Sequence, residues 1–293
     1  MKVALTGATG FIGSHVLTEL LKHGHEVTAL VRDDTQADTV AVRGATPAVV
    51  DLYDRPAVAR LLGNADGAIH TASPGDATSA NLDSAVADAV IDAFGGAGKP
   101  YLQISGLWIY GDNPSITEAS PVSAPALVAW KEPIERRVLG ATNLRGVVIV
   151  SGVAYGGGGG AIPGLLLGSP RDDAGHLIML GTGQQHWSTV HAADLADVFR
   201  RVLEDESARG RYVIGNGLDL TVAELTQAAA VAAGAAGAVP GSDGEARARL
   251  GDYFAEVLLL DQGTDAARAR AELGWHPTHP SLADEFRHGS YRT

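Results

Sequence analysis

Hydrophobic positions in the first half of the chain alternate between two periods. Short β-rich runs fall at residues 2–5, 26–31, 46–50, 67–71, 100–104 and 146–150. Longer segments between them carry apolar residues at helical spacing, as in Ile12, Val16, Leu20 and Leu21 with Gly24 placed to end the helix, and again in Leu82, Ala85, Val86, Ala89 and Val90. Asp54, ahead of "RPAVARLL", is positioned to cap the helix after the third strand. Strand and helix in strict alternation predict a parallel sheet covered on both faces, an α/β Rossmann-type doubly wound fold.

After five consecutive glycines at 156–160 the alternation weakens, and "PGLLLGSPRDDAGHLIMLGTG" reads as loops and short pieces. The pattern returns in "STVHAADLADVFRRVLE" and "RYVIGN". We therefore expect a dinucleotide-binding domain over 1–155, rejoined at about 187–215, and a smaller discontinuous C-terminal substrate lobe from 156–186 and 216–293. Thr221 and Glu224 form a capping-box pattern, with Leu220 and Leu225 at staple positions. The alanine-rich stretch 228–238 is compatible with a helix, a disordered linker being the alternative, and nothing repeats at a fixed period.

Composition narrows the chemistry. With 22 Lys and Arg against 34 Asp and Glu the formal net charge is −12, which disfavours nucleic acid and anionic lipid as partners. The absence of cysteine excludes disulfides, thiolate zinc sites and a cysteine nucleophile, and fits a reducing compartment, with the cytoplasm expected. The apolar run at the start is too short for a secretory signal, and the uncharged stretch 146–170 is broken by glycines and Pro163, so no membrane span is expected.

"TGATGFIG" follows the first strand and opens the first helix, the context that gives a glycine pattern meaning. Gly7 permits a tight turn, Gly10 lets backbone approach a pyrophosphate, and Gly13 lets helix pack on sheet. Thr9 lies inside the turn, and amides near Phe11 and Ile12 would meet the phosphates at the positive end of the helix dipole. Arg32, about twenty residues on, can grip a ribose 2′-phosphate, which favours NADP over NAD, although Asp33 or Asp34 could instead reach a free hydroxyl.

Together with "VDLYD", "GAIHTAS", "ISGLWIYGD", "VAYG", "STVHAADLA" and "ELGWHP", this turn makes the chain resemble the extended short-chain dehydrogenase/reductase superfamily, in its NAD-dependent epimerase/dehydratase branch, over nearly its whole length. The resemblance places Asp51 and Leu52 by the adenine, and Thr71, Ala72 and Ser73 along the path from pyrophosphate to nicotinamide ribose. It also implies closure of the C-terminal lobe, including Leu273, Gly274 and Trp275, over a small-molecule substrate, and a homodimer through the helix after the fourth strand and the segment after Pro133.

The family's chemistry implies a serine or threonine after the fifth strand and a tyrosine four residues before a lysine. If Lys131 is that lysine, the tyrosine position is Leu127, Pro133 interrupts the helix, and Gly106 stands at the hydroxyl position with Ser105 beside it. Val150 and Ser151 replace the Arg-Pro of many relatives. Candidate substitutes for the acid are Ser105, Tyr155 and Tyr110, with Lys131 as a ribose or substrate ligand. His186 and His191 read as packing residues beside a structural Asp194, while His23, His25, His276 and His279 lack carboxylates at ligand spacing, so no metal site is expected. The five glycines read as a hinge rather than an anion cradle. The function expected is an NADP-dependent oxidoreductase for a small carbonyl compound or activated double bond. The alternatives are an epimerase, isomerase or dehydratase that recycles its coenzyme, and a non-catalytic NADP(H) sensor.

Overall fold

The computed structural model describes residues 1–142 and 144–292, and the chain divides into two compact units. The first comprises Met1–Ser105, Trp130–Ile149 and Leu195–Tyr212. Its strands are β1 (Lys2–Thr6), β2 (Glu26–Val31), β3 (Thr46–Val49), β4 (Gly67–His70), β5 (Pro100–Gly106) and β6 (Arg145–Ser151), joined by a seventh at Gly210–Ile214. The helices are α1 (Phe11–Lys22), α2 (Asp34–Val42), α3 (Arg55–Leu62), α4 (Ser79–Ala93) and α5 (Lys131–Gly140), followed by one at Ala192–Glu204.

Sheet order is seventh strand, β6, β5, β4, β1, β2, β3, with β1 parallel to both β2 and β4. The chain builds outward from β1 to β3 and then crosses back to β4 on the other side of β1. That reversal opens a crevice at the C-terminal ends of β1 and β4, where Thr6 lies level with His70. The six expected strands are present within one or two residues. The helix missed by periodicity is α2, whose "DTQADTVAV" carries one buried side chain, Val40; it is fixed instead by Asp33, whose carboxylate caps it by accepting from Gln36 N–H at 2.9 Å. Asp54 caps α3 in the same way through Ala57 N–H.

The second unit is Gly106–Ala129, Val150–Asp194 and Val213–Thr293. The segment 106–129 therefore groups with the C-terminal part rather than with the sheet that precedes it. Its backbone pairs with 261–263, through Asn113 N–H to Asp261 C=O and Ile116 N–H to Gly263 C=O, and the Gln262 amide donates to the Leu107 and Gly111 carbonyls. The capping box at Thr221 and Glu224 opens the helix Val222–Ala232, so the alanine-rich stretch is helical up to that point. In the glycine run, Gly156 N–H donates to Tyr291 Oη and Gly158 N–H to Ser290 Oγ, which commits two amides that an anion cradle would need free.

Buried Arg145 starts β6 and closes the C-terminal end of the Ala192–Glu204 helix. Its guanidinium donates to the carbonyls of Val202 at 2.8 Å and Leu203 at 2.6 Å, groups a helix end leaves without internal partners. Replacing Arg145 by Ala strands those carbonyls away from water, so we predict a loss of about 2 kcal/mol or more in urea unfolding, with the sheet otherwise intact.

Candidate active site

The glycine turn is dictated by crowding. Gly7 has φ 78°, and a Cβ there would lie 2.5 Å from Ala72 N; a Cβ on Gly13 would lie 2.0 Å from Gly7 O. Strand, turn and helix can meet this closely only if both residues lack side chains. Gly10 is the extended residue before α1; among the described residues no side chain caps that helix start and no acid stands in its first turn. The amides of Phe11, Ile12 and Gly13 thus present an uncompensated positive helix end, a fit for a pyrophosphate. Thr9 lies exposed in the turn.

At the end of β2, Arg32 leaves 80% of its side chain exposed and rests 3.3 Å from Asp33. Asp33 is occupied as the cap of α2 and Asp34 is that helix's first residue, so the cation is the more available group there. Asp51 is exposed and Leu52 half-buried in the turn after β3, where the Asp51 carboxylate accepts from Tyr53 N–H at 3.0 Å.

Beyond β4, Thr71 braces the turn by donating its hydroxyl to Thr6 C=O at 2.8 Å, Ala72 packs beneath Gly7, and Ser73 Oγ lies 3.4 Å from Ser79 Oγ. Behind them runs a buried polar chain. His70 Nδ1 lies 2.6 Å from Thr6 Oγ1 and its Nε2 lies 3.1 Å from Asp83 Oδ1; the other carboxylate oxygen is 3.3 Å from Lys131 Nζ and 3.4 Å from Gln103 Nε2. Burial pushes the Asp83 carboxyl upward, but hydrogen bonding and attraction from His70, reinforced by Lys131, hold it below the ordinary value.

Lys131 is the first residue of α5, preceded by a turn over 126–130, and its ammonium also sits 4.3 Å from the Trp130 ring centroid. Leu127 therefore lies in that turn and not one helical turn below the lysine. Pro133, expected to interrupt a helix, falls in its first turn, where the missing N–H has no intrahelical partner to lose. Ser105, near the end of β5, is 5% exposed and its hydroxyl finds no hydrogen-bond partner among the described residues. It points to the same face of β5 as Gln103, two residues earlier.

The other candidates belong to the second unit. Tyr155 is 1% exposed and donates its hydroxyl to Pro280 C=O at 2.7 Å, and burial raises its pKa further from use as an acid. Tyr110 is buried in a 3-10 turn at Leu107–Tyr110. His279, read as lacking a carboxylate, has one: Nδ1 lies 2.8 Å from Asp194 Oδ1, and its ring stacks on His191 at 4.1 Å. Residues 85 apart supply this contact, so local spacing does not reveal it. Asp194 also accepts from Thr278 N–H and Oγ1 and from His279 N–H, His191 Nδ1 accepts from Ala193 N–H, and ligand atoms of His191, Asp194 and His279 lie within 4.8 Å of one another, a grouping that the expectation of no metal site did not foresee.

Sequence reasoning missed Asp83 and His70. The signal was a polar residue, Asp83, on the stripe it shares with Val86 and Val90 along the buried face of α4.

The family model described as NAD(P)H-binding matches residues 7–150. A 3-diazoavenalumate denitrifying reductase from a Streptomyces species is 30% identical over 97% of this chain and 98% of its own length. The epimerase family protein SDR39U1 of Bos taurus is 30% identical over 96% of this chain and 97% of that protein. The crystal structure of the human SDR39U1 protein (isoform 2) with NADPH aligns at a TM-score of 0.75 and 24% identity, covering 99% of both chains. Among the described residues no helix is long and apolar enough to cross a membrane. Carrying an NAD(P)H-binding domain on a doubly wound sheet, the chain belongs to the NAD-dependent epimerase/dehydratase family of extended short-chain dehydrogenases/reductases.

Proposed function

We propose that this protein is an NADP-dependent oxidoreductase that reduces a small organic substrate, a carbonyl compound or an activated double bond. The observation that carries the reading is the Ser105 hydroxyl, buried without a partner on the β5 face that also bears Gln103, next in the chain of contacts to Asp83 and Lys131. A buried hydroxyl with no partner is unfavourable unless something else supplies one, and a substrate oxygen would. The coenzyme supplies a hydride when bound. Lys131 keeps ammonium hydrogens for the nicotinamide-side ribose, Ser105 donates to the substrate, and Leu127 has no proton to offer. Tyr155 takes no part, because its hydroxyl is committed to Pro280.

Support for NADP comes from Arg32, exposed beside an acid already occupied with a helix cap, and from the NADPH named with the human relative's structure. The reductase named among the relatives supports net reduction over internal recycling. The decisive assay follows NADPH absorbance against a panel of carbonyls and activated alkenes. Stoichiometric oxidation with product supports the proposal, whereas product without net consumption, or tight binding without turnover, overturns it.

Two variants sharpen this reading. Arg32→Ala is expected to weaken NADPH binding about ten- to a hundredfold by calorimetry while leaving NADH nearly unchanged, the size of a lost charge-assisted contact to phosphate. Ser105→Ala is expected to lower kcat about a hundredfold at unchanged coenzyme affinity, and Tyr155→Phe to leave kcat alone while costing about 1 kcal/mol of stability.

A further inference from the structure

Asp83 is 3% exposed, and an isolated carboxylate at such a depth is strongly unfavourable. Its partners explain how it persists and what it accomplishes. An ionised carboxylate only accepts, so His70 Nε2 carries the hydrogen facing Oδ1, while the other ring nitrogen, Nδ1, lies 2.6 Å from the Thr6 hydroxyl. Thr6 in turn uses its carbonyl to receive both the N–H and the hydroxyl of Thr71, and is bonded directly to Gly7 of the phosphate turn. Gln103 reaches the second oxygen from β5, and the buried Tyr101 phenol lies close enough that Asp83 helps to raise its pKa. Among the described residues, the partners that the carboxylate meets from β4, β5 and α5 are thus a donor from His70, a donor from Gln103, the Lys131 cation and the Tyr101 phenol.

The pair with Lys131 is lopsided. The carboxylate side chain is 4% exposed and the ammonium side chain 19%, so the negative end is sealed in while the positive end remains within reach of a ligand. Of three ammonium hydrogens, one meets Asp83, and the Trp130 face blocks another direction without consuming a hydrogen bond.

We propose that Asp83 is a positioning residue for coenzyme: braced by His70 and Thr6, its carboxylate fixes the Lys131 ammonium where it meets the nicotinamide-side ribose. This rests on the reading of Lys131 as a coenzyme ligand given above. Asp83 itself touches neither coenzyme nor substrate; it acts by removing the freedom of a long side chain before the ligand arrives.

The test uses the full-length protein and two ligands, NADPH and 2′,5′-ADP, the second carrying the adenine end and its phosphates but no nicotinamide ribose. Asp83→Asn keeps the volume and an acceptor for His70 but ends the attraction for Lys131. We expect Asp83→Asn and Lys131→Met each to weaken NADPH about tenfold, and Thr6→Val, which removes the brace on His70, about threefold. All three should bind 2′,5′-ADP within about twofold of the parent protein, a pattern that general damage to the fold would not give. Should Asp83→Asn fail to fold, Thr6→Val decides by the same comparison. Wild-type NADPH affinity in Asp83→Asn beside a weakened Lys131→Met overturns the proposal, as does equal weakening toward both ligands. An unchanged Lys131→Met removes the underlying reading of Lys131, and the proposal falls with it.

Discussion

The coenzyme end of this protein depends on how closely two stretches of backbone can approach. The carbonyl of Gly7 lies where the Cβ of any other residue at position 13 would sit, and the amide of Ala72 lies where a Cβ at position 7 would be. This contact pins the start of α1 to the ends of β1 and β4 at the point where the sheet reverses its order. Moving either glycine outward to admit a methyl group would lift the helix from the sheet and turn its free amides away from the crevice. Thr6, Thr71 and His70 then have fixed places, because they are the residues on either side of that contact.

Placing a polyanion on a chain of net charge −12 is a problem of range, not of sign. At physiological ionic strength exposed charges are screened over about 8 Å, so most of the surface acids act weakly on a ligand in the crevice. In the proposed mode of binding, what acts there is local: the uncapped start of α1 and the Arg32 guanidinium. Of the acids nearest to them, Asp33 divides its oxygens between the cap of α2 and Arg32 itself, and Asp51 accepts within its own turn. Deeper in, Asp83 is matched by Lys131 and by donors from His70 and Gln103, so that corner stays near neutral and does not repel phosphate.

Features written in short-range periodicity were legible from the sequence. The six strands, the glycine turn, the caps at Asp54 and Thr221 and the return of the chain to the sheet all follow from residues within one or two turns of each other. Features made by distant residues were not. His279 is joined to Asp194 across 85 positions, Asp83 to Lys131 across 48, and segment 106–129 to residues near 262 across about 150. Pro133 was misread for another reason: a proline breaks a helix interior but is tolerated in a first turn, and the difference lies in where the helix starts, at Lys131. The α2 helix was obscured because its cap, rather than an apolar stripe, holds it in place.

The proposed chemistry must also accommodate a lysine that is already paired. In the arrangement the family implies, a free ammonium beside a tyrosine lowers the phenol's pKa and so makes a proton available to a developing alkoxide. Here the residue four before Lys131 is Leu127, which has no proton to give, and the Lys131 ammonium is paired with a carboxylate 3.3 Å away. A serine hydroxyl such as Ser105 can stabilise negative charge by hydrogen bonding but is a poor source of protons near neutral pH. Reduction of a simple ketone concentrates charge on one oxygen and needs that proton early. Hydride addition to an activated double bond spreads the charge over a conjugated system, and the proton can come later from water at carbon. Within the proposed function, the pairing of Asp83 with Lys131 therefore favours the second kind of acceptor over the first.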